Sequence, residues 1–192
     1  MSVNESKALE LPDESWELLG GLARESIRAR LAGIAPPWLE GVPRPLRQPA
    51  GVFVTLFLGT QLRGCVGTVE ASEPLFRTVP RLAVAAAFED FRFPPVEWSE
   101  ADKLTIEISL LSPLREVASP EEIVVGTHGV VLVHDGQRAV FLPKVAVEQG
   151  WDRTTLLEQL CRKAGLPADA VQRPGTKLFV FTTNSRRFPP EK

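Results

Sequence analysis

The chain has 192 residues, 44% of them hydrophobic and 24% charged, with a formal net charge of −2. These proportions fit an ordinary globular protein of one domain, or of one domain with a smaller lobe. The charge balance gives no reason to expect nucleic acid, and no apolar run approaches the ~18 residues of a membrane-spanning helix.

Residues 13–34 are apolar at Trp16, Leu19, Leu22, Ala23, Ile27, Leu31 and Ile34, the spacing of one helix face. Asp13 is the expected N-cap, and the Gly20-Gly21 pair implies a close packing contact. Residues 35–51 carry five prolines and read as a long surface loop. Arg28, Arg30, Arg44 and Arg47 are read as solvated charge. VFVTLFL at 52–58 is apolar on both faces, which predicts a strand inside a covered sheet. Residues 72–90 read as a helix that Pro80 kinks or splits, and FRFPPVEWSE as a proline loop.

LTIEISLL at 104–111 alternates, so Leu104, Ile106, Ile108 and Leu110 face one way and Thr105, Glu107 and Ser109 the other. GVVLVHDGQRAVFLP is a predicted hairpin turning at Asp135-Gly136, with His134 facing solvent. In WDRTTLLEQLCRKAGLP, Asp152 caps a helix whose Leu156, Leu157, Leu160 and Cys161 face the core. KLFVFTT at 177–183 is a last strand. The order implies an α+β fold, a mostly antiparallel mixed sheet flanked by helices.

The unusual stretch is QLRGCVGTVE, directly after the first apolar strand. In extended chain, residues two apart share a face, which sets Arg63 beside Cys65. A nearby guanidinium favours thiolate, the reactive form of cysteine. Gly64 and Gly67 expose backbone N–H groups that, with Arg63 and Thr68, suit an anionic ligand. His128, in a glycine-bordered loop, and Glu107, a carboxylate in a core-like strand, are the candidate proton-transfer groups, with Arg63 the expected partner of Glu107. Against this stand bland roles: cysteine as a small core hydrophobe, Glu107 in a structural ion pair, His128 as a loop residue. There are only two histidines and no CxxC or HExxH spacing, so neither metal nor cofactor is expected. The N-terminus MSVNESKALELPDESW lacks the apolar centre of a signal peptide, and a cytoplasmic protein with reduced Cys65 and Cys161 is expected.

LRGCVGT resembles the LRGCIGT motif of the AMMECR-type domain family, with Val66 in place of the isoleucine. GVFVTL, EDFRFPPV, IEISLLSP, GTHGVVL, FLPKVAVEQGWD and LCRKAGLP resemble other blocks of that family in the same order. Phe91 stands where the family often has proline, which weakens a site role for Arg92. The likeness spans about residues 9–188 of a single domain covering 1–192. It implies a fold with a larger and a smaller lobe. It also implies an AmmeMemoRadiSam pathway shared with Memo-like and radical SAM proteins, and no particular reaction. Two functions follow as expectations: a cysteine-dependent component of a modification or biosynthetic pathway, or a non-catalytic module that binds an anionic ligand or protein partner through Arg63 and the glycines.

Overall fold

A computed structural model describes residues 7–36 and 39–191. The chain divides into two compact units, one formed by Leu9–Leu111 with Asn184–Lys192, the other chiefly by Ser112–Thr183. The fold is α+β, with two four-stranded sheets instead of one, and each strand pairing resolved in register is antiparallel.

The first unit opens with α1 (Asp13–Ala32). Pro12 is its N-cap, so Asp13 stands one position inside, where its charge and that of Glu14 complement the helix dipole. Gly33, at φ 67°, ends the helix in the left-handed conformation that glycine adopts without strain. The glycine pair splits in role. A Cβ on Gly20 would meet the Phe188 ring at 2.3 Å, whereas Gly21 has nothing within 4 Å.

The sheet of this unit has the order β2-β1-β3-β8, from β1 (Val52–Leu58), β2 (Gln61–Thr68), β3 (Leu104–Leu111) and β8 (Thr183–Phe188). Val52, Val54 and Leu56 of β1 and Leu104, Ile106, Ile108 and Leu110 of β3 are buried in one cluster with α1 and α2 (Leu75–Phe88). Each fully buried aliphatic side chain contributes roughly 1.5–3 kcal/mol. The alternation read in 104–111 is thus real, and the opposite face carries Thr55, Glu107 and Ser109, all of them buried. Pro80 neither splits nor ends α2, which runs unbroken from Leu75 to Phe88. A proline removes one helical hydrogen bond, and the packing of Val79, Leu82 and Ala83 on either side of it holds the helix. The proline loop that follows includes a one-turn helix, α3 (Trp98–Ala101), closed by reciprocal bonds between Glu97 and Glu100. No part of β8 was foreseen beyond Thr183, because TNSRRF has a polar pattern.

The second unit holds the sheet β4-β7-β5-β6, from β4 (Arg115–Val117), β5 (Gly129–His134), β6 (Gln137–Phe141) and β7 (Lys177–Phe181). Asp135 and Gly136 turn the β5–β6 hairpin with positive φ of 46° and 78°, as the sequence requires. After α4 (Pro143–Glu148), α5 (Arg153–Lys163) starts at Asp152, whose carboxylate accepts the Thr155 N–H at 2.8 Å. Such a cap contributes about 1 kcal/mol. Leu156, Leu157, Leu160 and Cys161 enter a core shared with Val130, Leu132 and Val180. His134 does not face solvent: its side chain is 11% exposed and its Nδ1 lies 2.8 Å from the Thr176 hydroxyl.

Candidate functional site

Cys65 lies on β2, an edge strand, directly opposite Thr55, which is in turn opposite Glu107. The three form a row across the sheet, on the face turned away from α1 and α2, and span roughly 10 Å from Cα to Cα. The Cys65 N–H and C=O point away from β1 and are taken up by side chains. The N–H donates to Asp90 Oδ2 at 2.9 Å, and Arg92 Nη2 donates to the carbonyl at 3.3 Å. Residues so oriented form a non-hydrogen-bonded pair with their partner, the kind whose side chains approach most closely. Accordingly the Thr55 hydroxyl and the Cys65 sulfur are 3.3 Å apart.

Asp90 and Arg92 are themselves a two-pronged ion pair, with Nε to Oδ1 at 2.8 Å and Nη2 to Oδ2 at 2.6 Å. The Arg92 guanidinium, helped by N–H groups of Cys65 and Arg92, outweighs burial and holds the Asp90 carboxyl down at about 2. Arg92 is correspondingly raised, chiefly by its bond to Asp90, and its side chain is 47% exposed while that of Asp90 is 5% exposed.

Arg63 does not share this arrangement. The β1–β2 ladder slips by one residue between Leu56 and Phe57: Leu56 faces Gly64 and Phe57 faces Leu62. Arg63 is the extra residue of a bulge, and the two-residue rule fails across a bulge. Its guanidinium is spent on Glu100, with Nε to Oε1 at 2.8 Å and Nη2 to Oε2 at 2.9 Å, and on the carbonyls of Pro94 and Pro95. Glu100 is lowered by that bond. The charge beside Cys65 is therefore that of Arg92. Glu107 is likewise held by Arg187, Nε to Oε2 at 2.6 Å, not by Arg63.

The glycines of LRGCVGT have packing roles. A Cβ on Gly64 would stand 2.0 Å from the Ala86 carbonyl oxygen of α2, and one on Gly67 would lie 2.2 Å from the Phe53 ring. Thr68 Oγ1 accepts the Glu70 N–H and closes the turn after the strand. The EDFRFPP segment thus clamps the free edge of β2: Pro94 and Pro95 hold Arg63, while Asp90 and Arg92 hold Cys65. Two motifs 25 residues apart are one structural lock.

His128 belongs to the second unit, ahead of β5. It is 3% exposed, and its Nδ1 accepts the Val124 N–H at 3.1 Å. It borders a water-sized void with Ser112, Arg115 and Phe181. Asp90 is the site residue that sequence reasoning passed over, and Arg92 is one it discounted on account of Phe91, although the structure sets both against Cys65. The available signal was an Asp-x-Arg pair just before two prolines, but spacing alone does not say which strand such a pair grips. Among the described residues no three His, Cys, Asp or Glu side chains are grouped as metal ligands, and no helix is long and apolar enough to cross a membrane.

The lock unites two of the motifs that carry the family resemblance, and the AMMECR1 family model matches residues 21–186. The chain belongs to the AMMECR1 family. It is 40% identical over 185 residues to a protein of Thermococcus gammatolerans, covering 90% of this chain and 89% of that one. It is also 40% identical over 167 residues to a Methanothermobacter thermautotrophicus protein, covering 83% of this chain and 87% of the other. The crystal structure of the uncharacterized protein PH0010 from Pyrococcus horikoshii superposes with a TM-score of 0.84 at 34% identity, covering 93% of this chain and 98% of that one.

Proposed function

We propose that this AMMECR1-family protein is a cysteine-dependent component of a modification or biosynthetic pathway, acting with Memo-like and radical SAM partners, and that Cys65 is its reacting group. The observation that carries this reading is the state of the thiol: partly exposed, yet fixed by bonds to its backbone N–H, its carbonyl and its sulfur. A sulfur so anchored is preorganised for attack on an electrophilic carbon. The Thr55 hydroxyl contacts the sulfur, and Glu107, next in the row, is the acid–base group of that face. Arg92, half-exposed and paired with Asp90, borders the same strand edge and donates to the Cys65 carbonyl. The reading uses groups of one unit and does not call on His128.

The test is labelling of the intact protein with limiting iodoacetamide near neutral pH, read by mass after proteolysis. Cys65 should carry the label well before Cys161, which is fully buried and whose thiol burial raises. Equal rates at the two cysteines, or a Cys65→Ser protein with full output in a reconstituted pathway, would refute it.

A second reading keeps the module non-catalytic, with Arg92 instead of the saturated Arg63 holding an anionic ligand. The half-exposed guanidinium favours it. It predicts that Arg92→Lys weakens ligand or partner binding while Cys65→Ala leaves binding unchanged.

A further inference from the structure

The row of Cys65, Thr55 and Glu107 continues onto β8, the next strand of the sheet, where Arg187 donates from Nε to Glu107 Oε2 at 2.6 Å. Two ion pairs thus stand at the ends of the row, Asp90–Arg92 at the free edge of β2 and Glu107–Arg187 on the far side of β1. Both are oriented alike. The side chains of Asp90 and Glu107 are 5% and 6% exposed, those of Arg92 and Arg187 47% and 59%. Each pair is neutral as a whole and turns its positive end outward.

The two guanidiniums differ in the donors they keep. Arg92 engages Asp90 through Nε and Nη2, and Nη2 also donates to the Cys65 carbonyl. Arg187 engages Glu107 through Nε alone, and among the described residues neither Nη1 nor Nη2 has a hydrogen-bond partner. Those two nitrogens form the end-on fork that matches the two oxygens of a carboxylate. The fork is also held in place. Its carbon lies 4.9 Å from the centre of the Phe57 ring. Neutralising Glu107 needs only the Nε bond, whereas stacking fixes the plane of the guanidinium, which serves recognition.

Phe57 lies two residues from Thr55 on β1 and shares its face. The guanidinium therefore reaches back over the sheet toward Cys65, and about two strand spacings, roughly 10 Å, separate them. Phe53, on the other side of Thr55, gives the same face a second partly exposed ring.

On the reading of Cys65 as the reacting group, we infer that its substrate is a small monocarboxylic acid, the carboxylate seated on Nη1 and Nη2 of Arg187. The electrophilic carbon then lies over the Cys65 sulfur, about five carbons along, as the roughly 10 Å gap requires. A carboxylate suits the fork better than a phosphate monoester, whose second charge would face Glu107.

The probes are iodoacetate, iodobutanoate and iodohexanoate, each iodinated at the terminal carbon and each compared with its neutral amide. They are applied to the intact protein near neutral pH, and labelling of Cys65 is read by mass after proteolysis. The sulfur forms a carbon–sulfur bond as iodide leaves, and the thiol proton passes to buffer. Rates are divided by those with N-acetylcysteine, which removes the intrinsic difference between acid and amide. Iodohexanoate should label Cys65 at least about tenfold faster than its amide, at a rate that saturates, while iodoacetate, too short to span the gap, should show no such preference. Arg187→Lys keeps a charge beside Glu107 but loses the fork, and should reduce the iodohexanoate preference to below about twofold. The inference is overturned if the longer acid and its amide label alike, if the preference does not grow with length, or if it survives Arg187→Lys and falls instead with Arg92→Lys. Should a variant fail to fold, Cys161 would label as well, and the length series in the native protein decides alone. Iodoacetamide that ignores Cys65 refutes the thiol reading and this inference with it, whereas labelling of Cys65 without preference for the longer acid refutes this inference alone.

Discussion

Replacing Asp90 by asparagine isolates the electrostatic part of the lock. Asn keeps the shape and one acceptor for the Cys65 N–H, but it removes the charge that pairs with Arg92. In the native chain the carboxyl is depressed from 3.8 to about 2, and at about 1.4 kcal/mol per pH unit this corresponds to about 2 kcal/mol of stabilisation. Because the folded value lies below the unfolded one, the contribution is complete above pH ~4. It shrinks as pH falls toward 2 and is absent below that. Urea unfolding should therefore show native protein about 2 kcal/mol more stable than Asp90→Asn near pH 7. The gap should persist to about pH 5 and narrow to about 1.4 kcal/mol near pH 3. The Cys65 amide should also exchange faster in the variant. A gap under about 0.5 kcal/mol at neutral pH, or one that does not change between pH 5 and pH 3, would refute the claim that this carboxylate pins the strand.

Other outcomes follow from the packing. Gly64→Ala puts a methyl against the Ala86 carbonyl and should cost about 3 kcal/mol or more in thermal or urea unfolding. Gly21→Ala, in open space on a helix, should add about 0.5–1 kcal/mol, whereas Gly20→Ala should destabilise by crowding Phe188. Arg63→Ala leaves Glu100 and two proline carbonyls without their donor and should cost about 3 kcal/mol. If Arg63→Ala instead left stability intact and abolished ligand binding, Arg63 would be a binding residue and not a brace.

Motif resemblance made the family legible from the sequence, but the position of its arginines was not. The two-residue period predicted that Arg63 would flank Cys65, and it would have done so in a regular strand. A single-residue bulge has no marker in composition or pattern, and it turned Arg63 to the proline carbonyls. The Glu107 partner shows the same limit: opposite charge on a nearby strand suggested Arg63, while the true partner, Arg187, lies 80 residues away on β8. The glycines looked like open backbone for a ligand, and each instead admits a neighbouring group.

Local chemistry, written in consecutive residues, fixed the α5 cap at Asp152, the Asp135-Gly136 turn, the buried row of β1 and the alternation of β3. Each depends on bonds or periodicities a few residues long. Which arginine meets which carboxylate was decided by chain folding alone. Such pairs are set by the spatial meeting of a strand edge, a proline loop and a C-terminal strand, and side-chain charge says only that a partner is needed, not where the fold supplies one.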